Sequence, residues 1–286
     1  VPRPRGRRHS AERDARAVRH HYDVHPGFFA LFLDSSLTYS CAIFEDPARD
    51  DEPLERAQQR KLETVCRKLA LAPRERVLDV GCGWGSFPLH AALHHGASVV
   101  GITLSEPQAN VARERAAAAG VGDRVEIRVA DYREMRGERF DAIASIGMVE
   151  HVGDERMDEY AATLAALLEP GGRLLNHGIS RLRHGKVDPG PFSQRYVFPD
   201  AVPPHLSRVL LALERAGFAC EHVEAYAEHY ARTLAHWSRR LDANSAEARR
   251  LAGAERLRVW RLYLRAARNG FETGFTSIYQ VRCRRS

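Results

Sequence analysis

No stretch of this 286-residue chain holds the roughly 18 consecutive apolar side chains that a membrane-crossing helix needs. The basic start, Val1-Pro-Arg-Pro-Arg-Gly-Arg-Arg8, is followed by no apolar stretch, so it does not read as a secretory signal. Cysteine is sparse and scattered. Cys41, Cys66, Cys82, Cys220 and Cys283 form an odd set without a CxxC pair or metal-ligand spacing. That pattern excludes a disulfide framework and fits reduced thiols in a cytoplasmic protein. His94-His95 likewise lacks ligand spacing and reads as solvated, so no metal site is expected. No internal repeat is present, and lysine is scarce beside arginine. The formal charge of +6 favours an anionic surface such as phospholipid headgroups or an acidic carrier. It equally fits the arginine and alanine bias of a GC-rich genome, so charge alone assigns no partner. Nucleic acid is not expected as one.

What is present is an ordinary apolar fraction and a regular alternation of short strands and helices. Residues 1–20 read as a basic N-terminal arm, disordered over the first ten residues, with a helix starting at Ser10 as N-cap. Residues 21–286 read as a single domain: an N-terminal helical cap over 21–75, a cofactor-binding core over 76–180, and a lid insertion with C-terminal helices and a strand over 181–286. In the cap, Leu54, Ala57, Leu62, Val65 and Leu69 recur at helical spacing. In the core, strands are expected at 76–80, 97–102, 125–129, 140–146 and 173–177. Helices fall between them at 87–95, 106–119 and 160–168. Five prolines mark 181–205 as a loop or lid. Helices at 206–216, 230–241 and 254–267 and strands at 218–226 and 276–282 complete the chain. The fold class is α/β, a Rossmann-like parallel sheet with helices on both faces and a helical lid.

The sharpest local signal is Val77-Leu-Asp-Val-Gly-Cys-Gly-Trp-Gly85. A strand must turn tightly into a helix while its backbone approaches a ligand, and glycine permits both. The spacing is GxGxG rather than the GxGxxG of dinucleotide folds. Asp79 just ahead of the first glycine suits a cationic ligand better than a pyrophosphate. Asp131-Tyr132 closes the third strand, where an acid and an aromatic ring can hold an adenine. Strand two ends in Thr103-Leu-Ser105 instead of the acid that commonly grips ribose. Together these point to S-adenosylmethionine (SAM).

Several further stretches resemble the cyclopropane fatty acid synthases, including the mycolic acid cyclopropane synthases. They are His21-Tyr-Asp23 with Phe28-Phe29, Leu37-Thr-Tyr-Ser-Cys-Ala42 with Phe44-Glu45, the glycine turn, and Gly101-Ile-Thr-Leu-Ser-Glu-Pro-Gln108. Ser145-Ile-Gly-Met-Val-Glu-His-Val152, Tyr196-Val-Phe-Pro199 and His229-Tyr-Ala-Arg-Thr-Leu234 follow. The resemblance runs from about residue 20 to the end and fits the short, mycolate-type form. It implies a SAM-dependent sheet with a helical lid over an acyl tunnel, and methylene addition across a cis double bond of a lipid acyl chain. It implies SAM contacts from Tyr39, Ser40, Gly81, Gly83, Thr103, Leu104, Gln108 and Tyr132. It also implies a bicarbonate ion caged by Cys41, Glu150, His177 and Tyr230, with the backbone of Ile146 nearby.

These types suit the chemistry. An alkene is a poor nucleophile and needs an oriented, dry site. The resulting carbocation needs apolar walls and then a base. Tyr22 and the aromatic residues around Phe28 offer π-faces to such a cation. Taken singly, each caged residue has a structural reading as well. His177 fits a core histidine, Glu150-His151 a helix cap, Cys41 a small buried hydrophobe, and Tyr230 a surface position. The expected partner is an unsaturated lipid or acyl substrate, whether phospholipid, carrier-bound or natural product. A branching C-methyltransferase and a non-catalytic SAM- or lipid-binding protein are the competing readings. Peripheral membrane contact through Arg3, Arg5, Arg7 and Arg8 and through residues 256–265 competes with burial of Val259, Trp260, Leu262 and Leu264 in the core.

Overall fold

A computed structural model describes residues 8–10, 12–14, 16–17, 25–182 and 191–286. The chain builds one seven-stranded sheet in the order β3-β2-β1-β4-β5-β7-β6. Its strands are β1 (Arg76–Val80), β2 (Ser98–Thr103), β3 (Val125–Val129), β4 (Phe140–Ile146), β5 (Leu168–Arg181), β6 (Phe218–Ala225) and β7 (Thr276–Arg285). The helices are α1 (Pro26–Ala30), α2 (Leu54–Lys68), α3 (Ser86–His95), α4 (Glu106–Ala118), α5 (Met157–Leu167), α6 (Pro191–Tyr196), α7 (Leu206–Arg215), α8 (Ala227–Ala243) and α9 (Ser245–Glu272).

β1 to β5 are parallel, as expected from the strand–helix alternation. β7 runs antiparallel between β5 and β6, so the sheet is mixed rather than wholly parallel. The correction has a simple cause: α8 and α9 return the chain to the sheet as a helical pair, and the hairpin-like β6–β7 pairing needs no crossover. β5 is also longer than expected at both ends: Leu168 pairs with Phe140 of β4, and β7 stays in register beyond His177 as far as Arg181↔Thr276. The strands' two-residue period sorts the core. Leu78, Val80, Val100, Ile102, Ile143 and Leu174 pack under α5 and α7. Val77, Val99, Ala142, Ala144 and Leu175 face α2 and α3. Helices therefore cover both faces.

A third apolar cluster joins α1, α8 and α9 with Trp84 and Ile278. Phe28 is fully buried there, edge-on to Phe29, Phe32 and Trp260. Its ring is a packing element of the cap. Tyr22 and the stretch His21-Tyr-Asp23 lie outside the described residues. Of the four apolar residues weighed for membrane contact, Trp260 and Leu264 are core, whereas Leu262 is exposed. No helix among the described residues is long and apolar enough to cross a membrane. α9 reaches further than expected, from Ser245, but it kinks at Gly253 (φ 80°, ψ 162°). The sequence period is legible only beyond that kink.

Two expectations from composition fail locally. Residues 8–10 are held rather than loose: Arg8 Nε and Arg13 Nε reach Asp200 at 3.2 and 2.6 Å, and His9 Nδ1 sits 3.2 Å from His151 O. Ser10 does cap the helical turn that follows, with Arg13 N 3.4 Å from its Oγ. His95 is not simply solvated, since its Nε2 lies 3.0 Å from Glu63 Oε2. Arg3, Arg5 and Arg7 fall outside the described residues.

Candidate active site

The strand order reverses between β1 and β4, and their carboxyl ends open a crevice, the usual ligand position in such sheets. The turn leaving β1 is tied to β2, since the amides of Gly81 and Cys82 both donate to Ile102 O, at 3.0 and 2.9 Å. Gly81, Gly83 and Gly85 all have positive φ. Gly85 is doubly constrained, because a Cβ there would stand 2.9 Å from Ala112 Cβ on α4. Only glycine lets the turn close against that helix.

Three adjoining cavities fill the crevice. One of about 110 Å³ is lined by Gly81, Gly83, Thr103, Leu104, Gln108 and Tyr132, among others. A second, about 70 Å³, is lined by Tyr39, Ser40, Asp79, Gly81, Gly83 and Gln108. All nine residues expected to hold the cofactor thus line one or both. Thr103 Oγ donates to Gln108 Oε1 at 2.8 Å, and Ser105 caps α4. Thr103 and Gln108 thereby stand in the place where related folds carry an acid. Asp131 lines the first cavity too, but both its oxygens are taken by Arg133, at 2.9 and 2.6 Å.

Asp79 is buried, and its Oδ1 has no partner among the described residues. Burial pushes its carboxyl up to about 7, against the pull of the nearby Lys61 ammonium. Lys61 is a site residue that the helical period of residues 53–71 concealed. It lies on the buried face of α2, donates to Ser40 Oγ at 2.9 Å, and lines the same cavity as Asp79. Desolvation lowers it to about 8. A lysine on the apolar side of an amphipathic helix was the available signal.

The third and largest cavity, about 440 Å³, is walled by apolar and aromatic side chains including Phe192, Phe198, Tyr263, Ala267 and Phe271. Gly147 lines all three spaces. At the junction the structure brings Tyr39, Ser40, Glu150, His177 and Tyr230 together. Glu150 Oε1 accepts from Ile179 N at 2.7 Å. Its Oε2 is buried and unpartnered among the described residues, and burial raises the carboxyl to about 7. His177 is fully buried on β5. Gln280 Nε2 lies 3.3 Å from its Nδ1, and Nε2 has no partner among the described residues; with the Gln280 amide donating to Nδ1, the imidazole proton sits on Nε2. Desolvation keeps this ring neutral by holding its pKa well below the usual histidine value. His151, neutral for the same reason with its pKa lowered to about 4, lines both the large cavity and the first cofactor cavity.

Cys41 does not join them. It is fully buried, it is not among the cavity walls, and its thiol faces the carbonyl oxygens of Ala42 and Tyr226 at 3.2 and 3.8 Å. The side chain behaves as the small buried hydrophobe that its residue type also allowed. Ile146 lines the smallest cavity.

The arrangement is a cofactor-shaped crevice opening through a polar junction into an apolar chamber. Residues 9–281 match the family model described as mycolic acid cyclopropane synthetase. A probable fatty acid methyltransferase of Pseudomonas putida is 40% identical over 284 residues, 97% of this chain and 71% of that protein. Cyclopropane mycolic acid synthase 1 of Mycobacterium tuberculosis is 35% identical over 280 residues, covering 94% of this chain and 96% of the relative. The chain thus spans about two thirds of the fatty acid methyltransferase relatives and nearly all of the mycolate synthase. The crystal structure of mycolic acid cyclopropane synthase CmaA1, complexed with SAH and CTAB, superposes with a TM-score of 0.89 at 34% identity, covering 95% of this chain and 98% of that one. This chain belongs to the mycolic acid cyclopropane synthetase family of SAM-dependent methyltransferases.

Proposed function

We propose that the chain is a cyclopropane synthase that adds a methylene across a cis double bond of an unsaturated lipid acyl chain. The observation that carries this reading is the junction: Glu150 Oε2 and His177 Nε2 are both buried, both lack described partners, and their residues both line the apolar chamber beside the cofactor crevice. Two polar atoms orphaned in burial on the wall of one cavity cost folding free energy unless a ligand satisfies both.

The residues fit both small molecules that the reading requires. For SAM, Asp79 offers an unpaired oxygen to its ammonium group, the glycine turn gives close backbone approach, and Thr103, Gln108 and Tyr132 line the rest. For bicarbonate, His177 Nε2 is a donor and Glu150 Oε2 an acceptor, the pair that an anion carrying one hydroxyl needs. Bound SAM supplies an electrophilic methyl group, and bound bicarbonate supplies a base for the proton lost on ring closure. The chain's own residues do the rest. Phe192, Phe198, Tyr263 and Phe271 exclude water, which would quench a carbocation on the acyl chain. Glu150 holds the proton acceptor in register, and neutral His177 adds a hydrogen bond without adding positive charge near the cation.

The test is incubation of the full chain with SAM and unsaturated phospholipids or carrier-bound acyl chains. The expected product gains the mass of one CH2 per alkene, with cyclopropyl protons upfield in NMR, and S-adenosylhomocysteine is released. No gain across such a panel overturns the reading. A second outcome has its own support. Cys41 turns its thiol away from the junction, and one relative is described as a probable fatty acid methyltransferase. On that reading the cation loses its proton elsewhere and leaves a methyl or methylene branch, which the same NMR spectrum separates from a ring.

A further inference from the structure

Away from the cofactor turn, four side chains of three chemical types converge from two helices. Glu63 and Cys66 stand one turn apart on α2, and His90 and His95 lie on α3. Glu63 Oε2 is 3.3 Å from His90 Nε2 and 3.0 Å from His95 Nε2. One ligand atom each from Cys66, His90 and His95 lie within 4.8 Å of one another. Cys66 is a buried free thiol and His90 is buried, while His95 keeps a partly open side.

We propose that Glu63, Cys66, His90 and His95 form a binding site for one divalent cation of the zinc class, a structural clamp between α2 and α3. A tetrahedral ion with bonds of about 2.0–2.1 Å to nitrogen or oxygen and about 2.3 Å to sulfur sets its ligand atoms about 3.3–3.7 Å apart. The two carboxylate–imidazole separations, 3.3 and 3.0 Å, lie at and just below that range, while the thiol and the two imidazoles, within 4.8 Å of one another, would draw together by about 1 Å around an ion. One thiolate, two imidazoles and one carboxylate favour a borderline ion over magnesium or calcium, which prefer all-oxygen shells. Four protein ligands leave no open position, so the role is structural rather than catalytic. The consequence reaches the active site through one rigid element. α3 is capped by Gly85 of the cofactor turn, and its last residue, His95, lies about 13 Å down the helix axis from Ser86. Fixing that far end against α2 fixes the helix on which the cofactor turn is mounted. α2 also carries Lys61. Sequence spacing could not show this, because the two pairs of ligands lie on different helices, α2 and α3, and meet only when the helices pack.

The test uses the full chain, stripped with a chelator and dialysed. Calorimetric titration with Zn2+ is expected to show one ion per chain, and saturating Zn2+ is expected to raise Tm by about 5 °C or more. Titration with Co2+ is expected to give intense tetrahedral bands and a thiolate-to-metal charge-transfer band. Cys66→Ser removes the charge-transfer band, His95→Ala weakens Zn2+ binding by about 100-fold or more, and Cys220→Ser changes neither. Because Cys66 is buried and its variant is liable to misfold, His95→Ala carries the decision in that case. The proposal is overturned if the wild-type chain takes up no stoichiometric Zn2+. It is equally overturned if the Co2+ form lacks a thiolate band or if His95→Ala binds Zn2+ as tightly as wild type.

Discussion

Glu150 Oε1 accepts a hydrogen bond from the backbone amide of Ile179 at 2.7 Å, which leaves Oε2 buried and without a partner among the described residues. That bond pulls the carboxyl toward ionisation, but burial outweighs it and raises the group to about 7. The carboxyl therefore changes charge within the working range of pH. If the ionised form positions the proton acceptor, kcat/KM rises as pH climbs through about 7 and levels off above it. Glu150→Gln keeps the shape but not the charge. It should lower kcat by about 100-fold or more and flatten the profile in this window. SAM affinity should be unchanged, since Glu150 lines neither cofactor cavity. Rate profiles from pH 5.5 to 8.5 together with calorimetric SAM binding check both halves.

Asp79 and Lys61 make a separate pH prediction at the other end of the crevice. Asp79 is raised to about 7 by burial, and the Lys61 charge holds it from rising further. If the ionised carboxylate receives the SAM ammonium, affinity is full above pH 7. It falls by about tenfold for each pH unit below that. Asp79→Asn should bind SAM weakly at every pH in this range, with a loss of about 10- to 100-fold at pH 8. Lys61→Met removes the stabilising cation, so the pH at which affinity begins to fall should move upward. An unchanged onset in Lys61→Met would separate the two residues.

How much of this site was legible in the sequence differs by residue. Asp79, the glycine turn and Tyr132 were readable because strand, tight turn and helix follow one another locally, whereas Tyr39, Ser40, Thr103, Leu104 and Gln108 were expected from the family resemblance; all nine line the two smaller cavities. β1, β3 and β4 coincide with their expected bounds because their patterns are local: β1 and β4 are mostly apolar runs between turn residues, and β3 alternates apolar with polar. Lys61 was hidden because burial of its ammonium depends on Ser40 and Asp79, neither of them near it in sequence. The direction of the Cys41 thiol, toward Ala42 O and Tyr226 O, was not legible, because residue type does not reveal which way a side chain points. The antiparallel edge and the long reach of β5 depend on pairing with β7, about a hundred residues later. No local pattern encodes that.

The chamber itself sets a prediction about chain length. Ala266 and Ala267 of α9 line it beside Tyr263 and Phe271. Small side chains there leave room that a larger one would fill. Ala267→Phe should reduce turnover of long acyl substrates more than of short ones while leaving SAM binding intact. Competition between acyl chains of graded length, followed by mass spectrometry, reads the ratio directly. Equal loss across all lengths would place the acyl chain elsewhere.

Gly178 supplies the last test, because it separates crowding from chemistry. It lies between His177 and Ile179, and a Cβ there would stand 2.2 Å from Val149 Cγ1, far inside contact distance. Val149 is almost fully buried and precedes Glu150. Gly178→Ala must therefore push Val149, and with it the backbone that carries Glu150. Overpacking of this kind costs about 1–3 kcal/mol, which corresponds to a Tm drop of about 2–12 °C for a chain of this size. Activity should fall further than stability alone requires, since the displaced backbone holds the junction. Val149→Ala alone removes buried methyl groups and should also destabilise. Combined with Gly178→Ala, however, it vacates the space that the new methyl group occupies. The double variant should regain most of the Tm lost in Gly178→Ala and part of its turnover, a non-additive result that contact between the two positions demands. If the two losses simply add, glycine is not required at position 178 to make room for Val149.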